Sequence, residues 1–193
     1  RFTIRNLEVF SAVNENAKTL ISVIDQTISP MGGRLIKRWV ALPLKDIASI
    51  NTRLNVVEYL IANEVFREDL AQHIYEVGDL ERIISKVAVG RVSPREVVQL
   101  KSALWAIKKI KEKGLAAETH ALKSLAEQLA LCEGIRHRIE TEILPDAASQ
   151  LGKGSIVANG VSPELDELRA IMMHGKDFLQ QIQQREIERT GIT

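Results

Sequence analysis

The feature that most constrains this chain is its last predicted helix. Ser162-Pro163 starts it, and the helical pattern then runs to about Arg189. The inward positions Leu165, Leu168, Met172, Gly175, Leu179 and Ile182 step by three and four residues. That is a two-in-seven seam, narrower than the apolar stripe of a helix lying on a core. About 27 residues at 1.5 Å each make a rod of roughly 40 Å. Such a seam requires a partner helix, and the remaining sequence has none to offer. The partner is then another stretch of a longer polypeptide, or another molecule. The termini suggest the same: the chain opens on Arg1-Phe2-Thr3-Ile4 without a methionine and stops at Thr190-Gly191-Ile192-Thr193, directly after a charged helical run. The expectation is an excised piece of something larger.

The rest of the chain reads as shorter helices. A first helix is predicted from about Asn16 to Gln26, broken at Ser29-Pro30. A second runs from Met31 to Ala41, with Leu35, Ile36, Trp39 and Val40 as its apolar face and Leu42-Pro43 as its stop. Asp46 caps a third to about Asn63, which carries Ile47, Ile50, Leu54, Val57 and Leu60 or Ile61. A fourth follows from Val65 to Tyr75, with Phe66, Leu70 and Ile74 in register. Asp79 caps a fifth from Leu80 to Val89, with Leu80, Ile83, Ile84 and Val87 inward. Ser93-Pro94-Arg95-Glu96 then spells a capping box, the best start signal in the chain. The helix it opens carries Val97, Leu100, Leu104, Ile107 and Ile110, with Gly114 as its expected stop. Helical pattern resumes from Ala117 to Ile143, divided near Cys132-Glu133-Gly134 and ended by Pro145. Residues 146–162 carry Gly152, Gly154 and Gly160 around one apolar run, Ile156-Val157-Ala158, and read as a loop with a short extended segment. The fold class is therefore all-α: a multi-helix core bundle with a long protruding C-terminal helix. The expected organisation is a core over 1–145, a loop over 146–162 and the long helix over 163–193.

Composition supports helices and removes several functions. Aromatics are 4% of a chain that is 45% hydrophobic, so Leu, Ile, Val and Ala must build the core, which suits packed helices better than a β-sandwich. With 26 basic and 25 acidic residues, the net charge of +1 gives no global attraction to nucleic acid or membrane. One cysteine, Cys132, allows no disulfide framework or cysteine zinc site; it reads as a small buried hydrophobe in a reducing, cytoplasmic compartment. No stretch has the apolar length of a membrane span, and there is no signal peptide.

No phosphate loop or dinucleotide glycine motif is present. His73, His120, His137 and His174 fall in separate helices without a metal-ligand pair, and no Ser or Cys has a partner at motif spacing. Asp79 is explained by capping and Glu81 by its place near a helix N-terminus. No catalytic, cofactor-binding or metal residue is assigned. The one basic run holds Lys101, Lys108, Lys109, Lys111 and Lys113 against Glu112. It reads first as a solvated face; Lys108, Lys109 and Lys111 are the candidates for a weak DNA-backbone contact.

Several segments together resemble the MutS family of DNA mismatch repair ATPases. In order they are Thr3-Ile4-Arg5-Asn6-Leu7-Glu8; Leu20-Ile21-Ser22-Val23-Ile24-Asp25-Gln26-Thr27; and Met31-Gly32-Gly33-Arg34-Leu35-Ile36-Lys37-Arg38-Trp39 with Pro43-Leu44. Next come Ile50-Asn51-Thr52-Arg53, Asp79-Leu80-Glu81-Arg82, Gly90-Arg91 and Pro94-Arg95-Glu96. Glu164-Leu165-Asp166-Glu167-Leu168-Arg169 and Arg185-Glu186-Ile187-Glu188-Arg189-Thr190-Gly191 complete the set, and residues 116–151 match least. Phe66-Arg67-Glu68 spells the family's mismatch-reading triplet, but in a helix of the wrong domain, a coincidence.

The resemblance implies the first part of the family's core and its outgoing lever, ending where the clamp domain would begin. It implies a parent that is a homodimer on mismatched double-stranded DNA, uses ATP and Mg, works with a partner of the MutL type and lies in the cytoplasm, away from membranes. The fragment itself would be no enzyme and would hold no cofactor. Its work would be mechanical coupling between the ATPase and the DNA-engaging domains. Leu165, Leu168, Met172, Leu179 and Ile182 would form the lever seam, and Gly32, Trp39, Asp79 and Arg82 would hold the core. The rival readings are a helical module that binds the DNA backbone and a plain dimerisation scaffold.

Overall fold

The computed structural model describes residues 5–12, 14 and 17–191, all but the side chain of Phe178. The predicted helix start at Asn16, and the Thr3-Ile4 end of the first family segment, lie outside the described residues. Capping side chains account for most of the helix starts. Thr19 Oγ1 accepts from the Ser22 N–H at 3.1 Å and opens α1, Leu20–Ile24. Ser29 Oγ accepts from the Gly32 N–H at 3.1 Å and opens α2, Pro30–Ala41. Asp46 takes the Ser49 N–H at 2.8 Å and opens α3, Ile47–Ala62. A break at Asn63 separates α3 from α4, Glu64–Val77, which ends at Gly78 with φ 64°. Asp79 then caps α5, Leu80–Ala88.

The capping box closes as its spelling predicts. Ser93 Oγ accepts from the Glu96 N–H at 3.3 Å while the Glu96 carboxylate accepts from the Ser93 N–H at 2.9 Å. It opens α6, Pro94–Ala116, the longest helix of the bundle. Then come α7, His120–Glu127; α8, Glu133–Glu142; and α9, Pro163–Thr190, capped by Ser162. Among the described residues there is no strand, only an antiparallel bridge between Ile143 and Val157.

The core is built on α6. Leu100 and Leu104 pack with Ile83 of α5 and Ile139 of α8, flanked by Leu80, Val97, Ile107 and Ile143. On an adjacent strip of the same helix, Ala103 and Ala106 meet Val77 of α4, with Met31 of α2 alongside. Ala103 is 1% exposed, so α4 sits directly on the α6 backbone. Polar links fix the same contacts. Lys113 of α6 pairs with Asp69 of α4, and Lys86 of α5 pairs with Glu96 in the capping box. The Lys86 ammonium, helped by the Ser93 N–H, holds the Glu96 carboxyl down at about 2, from an ordinary 4.5.

The structure corrects the sequence reading in four places. The first helix begins only at Leu20, because Thr19 is a stronger start signal than the weak pattern before it. Gly114 does not stop its helix, which continues to Ala116. It is buried instead, and a Cβ there would lie 2.7 Å from the Ala126 Cβ, so glycine serves the close approach of α7. Cys132 is exposed, not buried; it stands in the turn before α8 with φ 46°. Ile84 and Val87 of α5, and Ile47, Ile50, Leu54, Val57 and Ile61 of α3, point to solvent rather than inward. Periodicity finds an apolar face but cannot say whether this chain contains what covers it.

Two outcomes follow from the packing. Gly114→Ala destabilises the chain by about 1–3 kcal/mol despite the better helix propensity of alanine, and Ala126→Gly suppresses that loss in the double variant; denaturant titration of the four proteins measures it. Because the folded-state pKa of Glu96 is depressed, its contribution is present above about pH 4.5 and fades as pH falls toward 2. Glu96→Gln therefore lowers the melting temperature at neutral pH, and the gap from the parent chain narrows through that acid window.

Candidate functional site

The candidate site lies where α9 leaves the bundle. α8 ends at Glu142, and its C-terminal end is tied to the extended segment by two backbone bonds. The Leu144 N–H donates to the Ile156 carbonyl and the Ala158 N–H donates to the Glu142 carbonyl, both at 2.8 Å. The short apolar run read from the sequence is therefore one side of a clasp, bridged to residues 142–144 at the end of α8. Arg169 then reaches back from the second turn of α9. Its guanidinium donates to the Val157 carbonyl at 2.9 Å, to Asn159 Oδ1 at 3.0 Å and to Asp166 at 3.3 Å. The other Asp166 oxygen accepts the Gly160 N–H at 2.6 Å. One arginine thus locks the loop, the clasp and the start of α9 together, and its planar fork with fixed donors suits three acceptors at once.

Beyond this root α9 stands free. None of its described side chains is buried. Leu165 is partly covered, but Leu168 and Leu179 are open and Met172 is 79% exposed. Gly175 sits in the same seam and Ile182 closes it, also exposed. The predicted seam is present on one helix and, among the described residues, nothing covers Leu168, Met172 or Leu179.

The predicted core residues divide by role. Asp79 joins helices: Arg34 of α2 donates to its two oxygens at 2.6 and 3.2 Å, and to Glu81 at 2.8 Å. The Arg34 guanidinium is the main cause that holds the Asp79 carboxyl below its usual range. Arg82 contributes its backbone N–H, which Asp79 accepts at 3.3 Å as the cap of α5. Trp39 lies under the Arg53 guanidinium, 3.6 Å from the ring centre, which pins α2 to α3. Gly32 lets the chain before α2 fold back, since a Cβ would sit 3.1 Å from the Thr27 Cβ.

The lysines proposed for a DNA backbone are engaged inside the molecule. Lys111 donates to the carbonyls of Leu129 at 2.7 Å and Glu127 at 3.4 Å, just past the end of α7, where a cation is favourable. Lys108 lies 3.7 Å from Glu133, and Lys109 is 3.3 Å from Glu112. Lys108 and Arg136 also stand over Trp105, the latter at 4.1 Å, joining α6 to α8.

Sequence reasoning missed Arg34, Asp69, Arg136 and Arg169, since each works through a partner distant in sequence or through a backbone carbonyl. Only the Asp166/Arg169 spacing gave a local hint. Among the described residues no group of three or more His, Cys, Asp or Glu is placed to hold a metal ion, and no helix is long and apolar enough to cross a membrane.

Comparison with known proteins gives this architecture a family. Residues 2–190 match the family described as MutS domain III. The whole chain is 55% identical over 192 residues to the DNA mismatch repair protein MutS of Bacteroides thetaiotaomicron, and 56% identical over 192 residues to that of Bacteroides fragilis. It is 51% identical over 193 residues to the MutS of Flavobacterium johnsoniae. In each case the chain spans 22% of the relative's length. By this match across nearly its whole length, the chain belongs to the MutS domain III family.

Proposed function

We propose that this chain is the first part of the core and the outgoing lever of a MutS-type mismatch repair ATPase, and that it carries displacement between the nucleotide and DNA ends of the parent. The observation behind this reading is the form of α9: 28 residues, about 42 Å of helix, fastened at its root by Arg169 and open along its heptad seam. A helix held rigidly at one end moves as a unit with whatever the root is attached to. Its root is the α8 clasp, and α8 packs on α6 through Ile139 and Arg136. A shift of the bundle would therefore reach the far end of α9 with little bending, which is what coupling between distant sites needs.

In this reading the division is a core over 1–145, a linking loop over 146–162 and a lever over 163–193. The fragment performs no chemistry. The parent, a homodimer in the cytoplasm, would bind mismatched double-stranded DNA, hydrolyse ATP with Mg and engage a MutL-type partner; the relatives' name, DNA mismatch repair protein MutS, supports that assignment. Lys108 and Lys111 have partners on α8 and at the end of α7, and Lys109 pairs with Glu112 of its own helix, which favours the coupling reading over a DNA-backbone contact by these lysines.

The test is made in the full-length protein. Met172→Pro breaks α9 in mid-course and should leave both ATP hydrolysis and duplex binding measurable, while abolishing the change in ATP turnover caused by mismatched DNA. Arg169→Ala, which frees the root, should weaken the same response several-fold, and Arg169→Lys should not restore it because lysine lacks the planar fork. Unchanged coupling in Met172→Pro sinks the lever reading.

A further inference from the structure

α8 carries the root of the long helix but is itself lightly seated. Ile139 is its one buried residue. Ile143, just past its end, is partly buried on the same cluster. Both apolar contacts therefore lie toward the C-terminal end of α8, beside the clasp. The other end has no such seat: no side chain caps the first turn, and Cys132 before it takes a left-handed turn at φ 46°. Apolar burial resists separation but is non-directional, so a seat at one end acts as a pivot and leaves the tilt of the helix open. What fixes the tilt is polar. Glu133 lies 3.7 Å from Lys108 of α6. One turn on, the Arg136 guanidinium stands 4.1 Å from the centre of the Trp105 ring, and Glu140 holds that guanidinium at 3.2 Å.

We propose that Arg136 on Trp105 is the positioning contact that sets the angle of α8, and through the clasp the direction of α9, with Ile139 as the pivot. The two polar contacts are unequal. The Glu133 side chain is 58% exposed, so water screens its pairing with Lys108. The Arg136 side chain is 14% exposed, and a planar guanidinium over an indole fixes tilt as well as distance. Lys108 also stands over Trp105, at 5.4 Å, and two cations at one ring repel. Each has its own carboxylate on α8, Glu133 for Lys108 and Glu140 for Arg136, which offsets that repulsion and aims the guanidinium. A small angle matters here because α9 is long: over about 42 Å of helix, a tilt of about 10° at the root moves the tip by about 7 Å. The consequence for coupling rests on the lever reading; the angle itself does not.

The test measures that angle and the coupling separately, in the full-length protein. Spin labels at Ser102→Cys on α6 and Gln184→Cys on α9, both exposed positions, report the distance between bundle and lever by pulsed electron resonance. The native cysteines, Cys132 among them, are first replaced by serine, and labelled protein is mixed with excess unlabelled protein. Arg136→Gln and Trp105→Leu shift or broaden the distance by several ångström. Trp105→Phe keeps the ring and the parent distance, whereas Arg136→Lys, without the planar fork, does not. Ile139→Val lowers the melting temperature and leaves the distance in place. A parent distance in Arg136→Gln, or an equal shift in Ile139→Val, overturns the proposal. In the same variants, Arg136→Gln keeps the basal kcat and KM for ATP and loses several-fold of the change in turnover caused by mismatched DNA. A shifted distance with an intact response leaves the positioning contact standing and counts against the lever reading. A parent distance in Arg136→Gln, with the response abolished in Met172→Pro, does the reverse.

Discussion

Close approach along α6 is the constraint on which the other contacts depend. Ala103, Ala106 and Gly114 are small and buried, so α4 and α7 rest nearly on the helix backbone, while Leu100 and Leu104 fill the space toward α5 and α8. Dispersion contacts are short-ranged, so an axis stripped of bulk on two sides and bulky between them gives each neighbour one seat. The charged links lie at the edges of these seats: Lys113 with Asp69, Lys86 with Glu96, Lys111 on the carbonyls past α7. Exposed pairs of this kind add little energy each. Their value is orientation, since each one joins α6 to a different neighbour.

The long helix depends on that axis only through a chain of small contacts. α6 holds α8 by Ile139 and by Arg136 over Trp105; the end of α8 holds the Ile156–Ala158 segment by backbone bonds; Arg169 holds that segment to α9. No large apolar surface lies along this path. The geometry at the root is fixed by hydrogen bonds, which are directional, and the free length of α9 magnifies whatever angle they set. That is a reason for the Arg169 guanidinium to have three acceptors where one would fix nothing but a distance.

Much of the fold was legible because helix ends are written locally. Asp46, Asp79 and Ser93 through Glu96 each place a side-chain acceptor within three residues of the N–H it satisfies, and all three cap as the sequence reads; Ser29, read only as a break, and Ser162, read only as a helix start, cap as well. The family was legible for a related reason: its segments are strings of neighbouring residues. The candidate site was legible only in outline. The seam positions from Leu165 to Ile182 could be listed from spacing, but Arg169 bonds to a carbonyl twelve residues away, and Arg34 reaches Asp79 across 45. A carbonyl has no side-chain identity, so its use as an acceptor leaves no mark in the sequence.

The sequence alone therefore determined what each segment is: helical, capped at a given residue, apolar on a given side, and part of a known family. Tertiary structure alone decided what those sides meet. Gly114 looked like a stop and proved to be a contact, because its role depends on Ala126 rather than on its own neighbours. The α3 stripe looked like core and proved to be surface, because burial belongs to the partner as much as to the residue. Local propensity is a property of a few consecutive residues, whereas packing joins positions that only the folded chain brings together.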